Sequence, residues 1–347
     1  MPGLGEKLLQ LLQALKIGRA IEIGITVVLV AIMLDRLTKA WAEKQPVHFE
    51  RGEPWWRRNA LLLVWIGLAG GALALAQVWE PAMEIRRREA LSLSDPLDAA
   101  VDWIIITIDP YTYALRSFLI RWVFIPMRDA YLWLPQAGVI AAFAGLGWVV
   151  GGWRSALVCA GFLGFIALSG WWERAMITAY MVTAAVVIAA LIALPLGIWA
   201  AGREARARRV LFACDTAQTF PSFIYLIPVV MLFGVNDVAA IGAVVIFGAV
   251  PLTRYTIEGL RGVPGHLLEA ADMAGATRRQ KLWSVRLPLA FPTIMVGVNQ
   301  TVMFSLFMVI IAAFIGTRDL GQEMQRALSA TDVGKGLVLG LCVAFMG

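Results

Sequence analysis

The stretch from Ile257 to Leu289, IEGLRGVPGHLLEAADMAGATRRQKLWSVRLPL, is polar and basic, and a long apolar run lies on each side of it. The run at 238–256 precedes it and the run at 290–316 follows it. About 20 apolar helical residues cross the hydrocarbon core of a bilayer, so both runs are long enough to do so. The stretch therefore predicts two membrane-spanning helices joined by a polar loop.

The rest of the chain has the same membrane character, since 60% of its 347 residues are hydrophobic and 16% are charged. The mean hydropathy is +0.74, which excludes a soluble enzyme or a nucleic-acid-binding module as the default interpretation. We predict an all-α fold, a polytopic transmembrane helical bundle. Full spans are predicted at about 18–35, 59–79, 132–150, 155–171, 176–201, 210–234, 238–256 and 290–316. A ninth helix from about 335 covers only ~20 Å by Gly347, so we expect it to be incomplete or supported differently.

Positive charges assign the two sides of the membrane. Arginines crowd the short loop at 203–209, and arginines together with Lys281 crowd the stretch at 257–289. Two spans separate these loops, so they share one side, which the positive-inside rule makes cytoplasmic. By the same count 36–58 is cytoplasmic. We interpret 80–131 as an external segment with one or two amphipathic helices lying along the interface.

The two ends of the chain resemble each other when they are compared at an offset of 316 residues. The identical pairs include Leu4/Leu320, Gly5/Gly321, Leu12/Leu328, Ala14/Ala330, Gly18/Gly334, Gly24/Gly340 and Val27/Val343. Two Leu- and Gly-rich membrane segments can also match by chance, and that alternative stays open. The interpretation we favour is that the chain opens with the tail of one membrane unit and closes inside the tail of a second.

This repeat divides the chain into three parts. Residues 1–58 form a helix, a first span and a cytoplasmic linker that resemble such a tail. Residues 59–175 hold additional spans and the external segment. Residues 176–347 form the core unit, which contains the loop 257–289.

The loop carries a set of residues at fixed spacing: Glu269, Ala270, Ala271, Gly275, Leu287 and Pro288. Small alanines on a short helix let another surface approach closely, and Gly275 can adopt the left-handed backbone that ends a helix. Thr277 then caps a second helix beginning at Arg278, and Pro288 suits the first turn of the span that follows. A protruding helix–turn–helix of this kind predicts a docking element. The alternative is a connecting loop without a partner.

These residues resemble the EAA loop of ATP-binding-cassette (ABC) importer permeases, with Val285 in place of the family's isoleucine. Residues 176–347 as a whole resemble the permeases of glycine betaine/proline betaine importers. The stretches that carry this resemblance are 193–199, 215–228, 230–234 and 287–301, and Ile108-Asp109-Pro110 matches more weakly. Both ends of this chain depart from a usual permease of this family. We therefore expect a tandem or fragment form of such a permease.

The resemblance implies a type I ABC importer permease fold in the bacterial inner membrane. It implies that Glu269, Ala270, Ala271, Gly275, Leu287 and Pro288 couple the chain to a separate ABC ATPase. An external binding protein and a second permease unit, as a homodimer or a tandem repeat, are the other expected partners, together with the lipid bilayer and without nucleic acid. No G-x-x-x-x-G-K-[ST] stretch occurs in the sequence, so ATP and Mg²⁺ are expected on the ATPase and no cofactor or enzymatic activity on this chain.

The implied solutes are betaine-like osmolytes such as glycine betaine, proline betaine and choline-type quaternary amines. Other solutes remain alternatives, including carnitine, an amino acid and taurine or another sulfonate. A membrane scaffold that engages an ATPase without transporting is a further alternative. A membrane enzyme is disfavoured, since the spans carry no paired carboxylates, histidine cluster or activated nucleophile.

Polar residues at membrane depth are candidates for a solute pathway, because an unpaired polar group there is costly. They are Asn299, Gln300, Thr301 and Ser305 in one span and Thr216, Gln218, Thr219 and Ser222 in another. Hydrogen bonding between helices is an equally weighted alternative for these residue types. Phe220, Phe223, Tyr225 and Phe304 offer aromatic faces to a quaternary ammonium group, with core or lipid-facing packing as the alternative.

Overall fold

In the computed structural model, residues 4–14, 16–42, 55–78 and 93–347 are described, and these are helical almost throughout. The helices are α1 Leu4–Gln13, α2 Ile17–Ala42, α3 Ala60–Val78, α4 Ser94–Leu119, α5 Ile125–Trp133, α6 Gln136–Leu168, α7 Trp172–Ala201, α8 Glu204–Thr219, α9 Leu226–Phe233, α10 Asp237–Arg261, α11 Gly265–Met273, α12 Leu287–Ala312, α13 Leu320–Ser329 and α14 Val333–Met346. A π-helical turn, Ile120–Phe124, joins α4 to α5. The described residues contain no strand, so the all-α prediction is confirmed.

Five of the described helices are long and apolar enough to cross a membrane, and a bent pair of helices would make a sixth. The predicted spans 18–35, 176–201 and 238–256 lie in α2, α7 and α10, and 290–316 lies in α12 and the short 3₁₀ turn after it. Helix α3 lies within the predicted 59–79 span, but its stretch Leu62–Gln77 is a shorter apolar helix and is not one of these five. The short ninth helix corresponds to α14.

The two predicted spans 132–150 and 155–171 meet without a loop between them. Gly152 lies inside α6 with φ 75° and ψ −170°, a backbone that only glycine adopts readily. A Cβ on Gly147 would lie 3.0 Å from the Ser155 carbonyl oxygen, whereas eight residues of straight helix extend about 12 Å. The chain therefore reverses direction at Gly152, and α6 consists of two helices packed as a hairpin.

The predicted span over 210–234 is not one continuous helix. Helix α8 ends at Thr219, and the helical segment Ser222–Phe233 leaves at an angle of 109°. The cause is Pro221, because a proline disfavours helical backbone in the residue before it. Phe220 accordingly has ψ 136°. Since the break turns far beyond a proline kink, the segment after it is a separate element, the 3₁₀ turn Ser222–Tyr225 followed by α9.

The core of the unit is the crossing of α7, α10 and α12, which meet at glycines. A Cβ on Gly197 of α7 would lie 2.6 Å from side-chain atoms of Thr256 in α10. A Cβ on Gly297 of α12 would lie 2.7 Å from the Tyr255 Cβ. Small residues at such crossings let helix backbones approach closely, which is how helices associate in lipid. This packing positions both ends of the loop 257–289.

The segment predicted to be external, 80–131, is helical where the structure describes it, and residues 80–92 lie outside the described part. Helices α4 and α5 run nearly continuously from Ser94 to Trp133. The Arg116 Nη1 donates to the Phe233 carbonyl oxygen at 3.0 Å, beside the 235–238 turn. The Asp98 carboxylate accepts from the Gly18 N–H at 2.7 Å, at the start of α2. The count of spans that makes 36–58 and 203–209 cytoplasmic predicts that the start of α2 and the 235–238 turn are external, so both contacts join α4 to segments predicted on its own side.

The internal repeat recurs in the helix boundaries. Helices α1 and α13 begin and end at equivalent residues, Leu4–Gln13 and Leu320–Ser329, offset by 316 positions. Helices α2 and α14 begin at Ile17 and Val333, which are also equivalent. The same helix–turn–helix therefore occurs twice, so more than residue composition is shared between the two ends.

Candidate functional site

The predicted docking helix is α11, and its C-terminal end is closely specified by backbone hydrogen bonds. Gly275 adopts φ 73°, as the sequence predicts for the residue that ends this helix. The Ala276 N–H donates to the Ala271 carbonyl at 3.0 Å, and the Gly275 N–H donates to the Asp272 carbonyl at 2.9 Å. These two bonds form a Schellman motif, which satisfies carbonyls that the helix end would otherwise leave unpaired.

The turn after Gly275 is closed by a capping box, which confirms Thr277 as the cap of the next helix. The Gln280 N–H donates to the Thr277 Oγ1 at 3.3 Å, and the Thr277 N–H donates to the Gln280 Oε1 at 2.8 Å. Across the turn, the Lys281 ammonium pairs with the Asp272 carboxylate. The angle between α11 and the helix that follows is thus held by both local caps and an ion pair.

The predicted coupling residues lie on the outer surface of this loop. Glu269 and Ala270 are exposed and Ala271 is half-buried, and no residue of α11 is buried. Among the described residues Glu269 has no hydrogen-bond or ion-pair partner. Met273, which is 90% exposed, and Trp283, which is 61% exposed, lie nearby and were not predicted as part of the surface. Two large apolar side chains left in solvent beside small alanines are typical of an interaction surface.

Leu287 and Pro288 lie where the loop joins α12. The helix runs from Arg278 through a π-helical segment, Lys281–Arg286, into α12. Pro288 stands in the first turn of the regular α-helix, as predicted, where its missing N–H is tolerated. The Arg286 Nη2 donates to the Leu260 carbonyl at 2.9 Å and ties this end of the loop to the end of α10. The two ends of the loop are therefore joined directly to each other.

A charged cluster that the sequence analysis missed joins α8 to α10 near the same end of the bundle. Arg254 pairs with Asp215 at 2.7 Å and with Glu258 at 2.9 Å. Arg261 also pairs with Glu204. Asp215 and Arg254 lie 39 residues apart, so local sequence patterns carry no signal for the pair. Among the described residues no group of three or more His, Cys, Asp or Glu side chains is placed to hold a metal ion.

Of the pathway candidates in α12, two lie inside the crossing with α10. Thr301 is fully buried, and its Oγ1 lies 3.0 Å from the Gly248 carbonyl and 2.9 Å from the Gly297 carbonyl. Ser305 is also fully buried, and a Cβ on Gly248 would lie 2.9 Å from its Oγ. Asn299 is exposed and Gln300 is half-buried. The structure thus places Thr301 and Ser305 between helices and leaves Asn299 accessible.

The remaining pathway candidates surround the break between α8 and α9. The Thr219 and Thr216 hydroxyls bond to carbonyls of α8, and Thr219 and Ser222 are both half-buried. The Tyr225 hydroxyl donates to the Ala217 carbonyl across the break. Because this bond spans the bend, it fixes the angle between the two segments.

The aromatic candidates are brought together only in part. The rings of Tyr225 and Phe304 each lie beside the Phe247 ring, at 5.7 and 5.2 Å between ring centroids. Phe247 was not singled out from the sequence, because a phenylalanine in an apolar helix carries no distinguishing signal. Phe220 and Phe223 pack against the main core and do not join these rings.

At the opposite end of the core, buried acidic groups lie close to several cations. Glu323 pairs with Arg326 at 2.8 Å, Lys335 at 2.9 Å and Arg174 at 3.7 Å. Burial alone would raise its pKa, but the three cations outweigh burial and hold the pKa of Glu323 below its usual value. Asp319 caps α13 by accepting from the Gln322 N–H at 2.9 Å. Its side chain is fully buried, and burial raises the pKa of Asp319 to about 6.

The apolar helical bundle and its exposed, capped loop define a multi-pass membrane protein. Residues 193–347 match the family of binding-protein-dependent transport system inner membrane components. The chain is 36% identical to the glycine betaine/proline betaine transport system permease protein of Escherichia coli, over 72% of each chain. It is 33% identical to the glycine betaine transport system permease protein of Bacillus subtilis, over 75% of this chain and 92% of that one.

The chain therefore belongs to the family of inner membrane permeases of binding-protein-dependent transport systems, in the branch that contains the glycine betaine permeases. It is also 51% identical, over its whole length, to the permease protein of a trimethylamine N-oxide transport system in Ruegeria pomeroyi. The chain spans 53% of the length of that relative.

Proposed function

We propose that this chain forms transmembrane pathway and coupling elements of an ATP-driven importer for small methylated-ammonium osmolytes. The observation that carries the proposal is the exposed loop 257–289. Its helix α11 is held by a Schellman motif and a capping box and is tied to α10 through Arg286. A partner that displaces α11 would displace α10 and α12 with it.

The partner proposed at α11 is a separate ABC ATPase, which would hold ATP and Mg²⁺. Glu269 has no partner of its own in the described structure, so it is available to a basic group on that ATPase. The small side chains of Ala270 and Ala271 permit close contact, and Met273 and Trp283 provide apolar area. A binding protein would deliver the solute on the opposite side of the membrane, and a second permease unit would complete the pathway.

The proposed solute is a compact methylated amine with a charged nitrogen. Permeases for glycine betaine and for trimethylamine N-oxide are both among the relatives. The cluster of Tyr225, Phe247 and Phe304 provides aromatic faces of the kind that attract such a cation. The higher identity to the trimethylamine N-oxide permease, 51% against 36%, favours that solute between the two.

The test is ATP-driven uptake by proteoliposomes that contain the full-length permease, its ATPase and its binding protein. Radiolabelled trimethylamine N-oxide, glycine betaine and taurine are compared in parallel. We expect uptake of the two methylated amines and none of taurine. Uptake of taurine alone would contradict the solute and leave the transport function intact.

Coupling is tested in the same system with Glu269→Arg. This reversal places a positive charge at the proposed docking surface, so we expect loss of both uptake and solute-stimulated ATP hydrolysis. The matched control is Glu173→Arg, the same change at an exposed residue at the start of α7, at the other end of the core. If Glu269→Arg retained full uptake, coupling through α11 would be wrong.

A further inference from the structure

The two copies of the repeated helix pair bury different faces. In the first pair, α1–α2, Leu12 is 1% exposed and Ala20 is fully buried, and both belong to the main core of the unit. In the second pair, α13–α14, the residue equivalent to Leu12 is Leu328, which is 67% exposed. Equivalent residues of the same motif therefore have opposite environments.

The opposite face shows the reverse pattern. Leu320 and Cys342 of the second pair are fully buried against α7 and its neighbours. The equivalent of Leu320 is Leu4, which is 46% exposed. The equivalent of Cys342 is Thr26, which is also exposed. Each helix pair thus packs one face against this unit and leaves its other face open. The face that is buried in the first pair is the open face of the second pair, and the reverse.

The open face of the second pair forms a groove of about 610 Å³ between α13 and α14. It is lined chiefly by apolar and small residues, among them Leu328, Val333, Gly336, Leu337 and Gly340. Val333 is 81% exposed and Leu337 is 66% exposed. Among the described residues, nothing lies within 4 Å of where a Cβ on Gly340 would be.

The equivalent groove of the first pair is filled, and the structure identifies what fills it. A Cβ on Gly24, the equivalent of Gly340, would lie 3.0 Å from the Ile227 Cδ1 of α9. Ile17 and Ile21, the equivalents of Val333 and Leu337, pack in the same core as Ile227. The segment 220–227, at the break between α8 and α9, is therefore the surface that this motif covers.

We propose that the groove between α13 and α14 receives the equivalent of segment 220–227 from a second, similar permease unit. The 220–227 segment of this unit is already covered by α1–α2, so the occupant comes from the other unit. The two contacts then form a reciprocal pair, as pseudo-twofold symmetry between the units requires. The proposal rests on the proposed function only in that two units assemble into one transporter.

The first test places the photo-reactive residue p-benzoylphenylalanine at Leu337 of the full-length permease in native membranes. Irradiation is followed by mass spectrometry of the cross-linked peptides. We expect an adduct on the peptide of the other unit that corresponds to 220–227. An adduct on this unit's own 220–227 segment, or adducts on lipid alone, would overturn the proposal.

Two further positions calibrate this experiment. The probe at Ile21, which is equivalent to Leu337, is expected to label this unit's own 220–227 segment. The probe at Leu168, which is 91% exposed on α6, is expected to label lipid. Since the readout is proximity, it is independent of which solute is carried, and failure of the uptake assay would leave it interpretable.

The second test uses a variant without the native cysteines Cys159, Cys214 and Cys342 and a water-soluble maleimide. We expect loss of labelling at Leu328→Cys in the assembled transporter, compared with Ser329→Cys on the neighbouring exposed position. Equal labelling of the two cysteines would show an open groove and would overturn the proposal.

Discussion

Gly275 is the residue where a single methyl group most directly tests the geometry of the coupling loop. The space around it is open, because nothing lies within 4 Å of where its Cβ would be. A Gly275→Ala substitution therefore introduces no clash, and its effect comes from the backbone alone. At φ 73° an L-residue is about 1–2 kcal/mol less stable than glycine.

That energy acts locally, on the Schellman motif at the end of α11. We expect the amide of Ala276, which is bonded to the Ala271 carbonyl, to exchange roughly 5–30-fold faster with deuterium. Transport coupled through α11 should fall with it, because the angle of the helix is no longer held. The measurements are hydrogen exchange by mass spectrometry and ATP-driven uptake.

A matched control lies at the other end of the same helix. Gly265 also has open space around its Cβ position but no positive φ, so Gly265→Ala should leave exchange and uptake unchanged or slightly improved. Gly275→Asn should give an intermediate result, since asparagine tolerates the left-handed region. Equal effects of alanine at Gly275 and Gly265 would refute the conformational explanation.

Three further predictions concern the core and its two ends. Asp319→Asn should raise stability at pH 7, by at most about 3 kcal/mol, and should remove a decline in stability between pH 4 and 6, measured by thermal unfolding in detergent. The raised pKa of about 6 means that the folded state binds the proton more tightly than the unfolded state, so native stability falls as pH rises through this window. Gly197→Val should lower the free energy of unfolding by about 1–3 kcal/mol, because its Cβ would lie 2.6 Å from Thr256 of α10. Gly161→Val, where the space around the Cβ position is open, should not. Similar unfolding temperatures for the two variants would count against the close helix crossing. Thr301→Val should lower stability by about 1 kcal/mol and leave the KM for uptake unchanged, because Thr301 bonds between helices. Asn299→Ala should raise the KM for uptake without a loss of stability. The reverse result for the two variants would place Thr301 in the pathway.

The features that the sequence predicted correctly are those determined by neighbouring residues. The left-handed backbone at Gly275 and the cap at Thr277 depend on residues within one helical turn, so the local sequence is sufficient to predict both. The long spans follow from composition over about 20 residues. The similarity of the two ends, which the helix boundaries share, was visible in the sequence because both ends have glycines and leucines at equivalent positions.

The features that were missed depend on contacts between distant segments. The 109° bend after Pro221 is held by the hydrogen bond from the Tyr225 hydroxyl to the Ala217 carbonyl and by packing of Ile227 against α2. The pairing of Arg254 with Asp215 and the contacts of Phe247 with the rings of Tyr225 and Phe304 likewise require the folded arrangement of distant segments. In the polar spans, residue type alone could not separate an interhelical hydrogen bond from a pathway group.

The glycine contacts among α7, α10 and α12 constrain how this unit can move. At Gly197 and Gly297 the helices are already as close as atoms permit, since even a methyl group would lie under 3 Å from its neighbour. Such a crossing resists compression, and separating the helices would break the Thr301 bond to the Gly248 carbonyl. We therefore expect the three helices to move as a single rigid body. In the proposed transport cycle, we expect a passage to open and close by rotation of this body against its neighbours, at the surfaces formed by α8, α9 and the two repeated helix pairs.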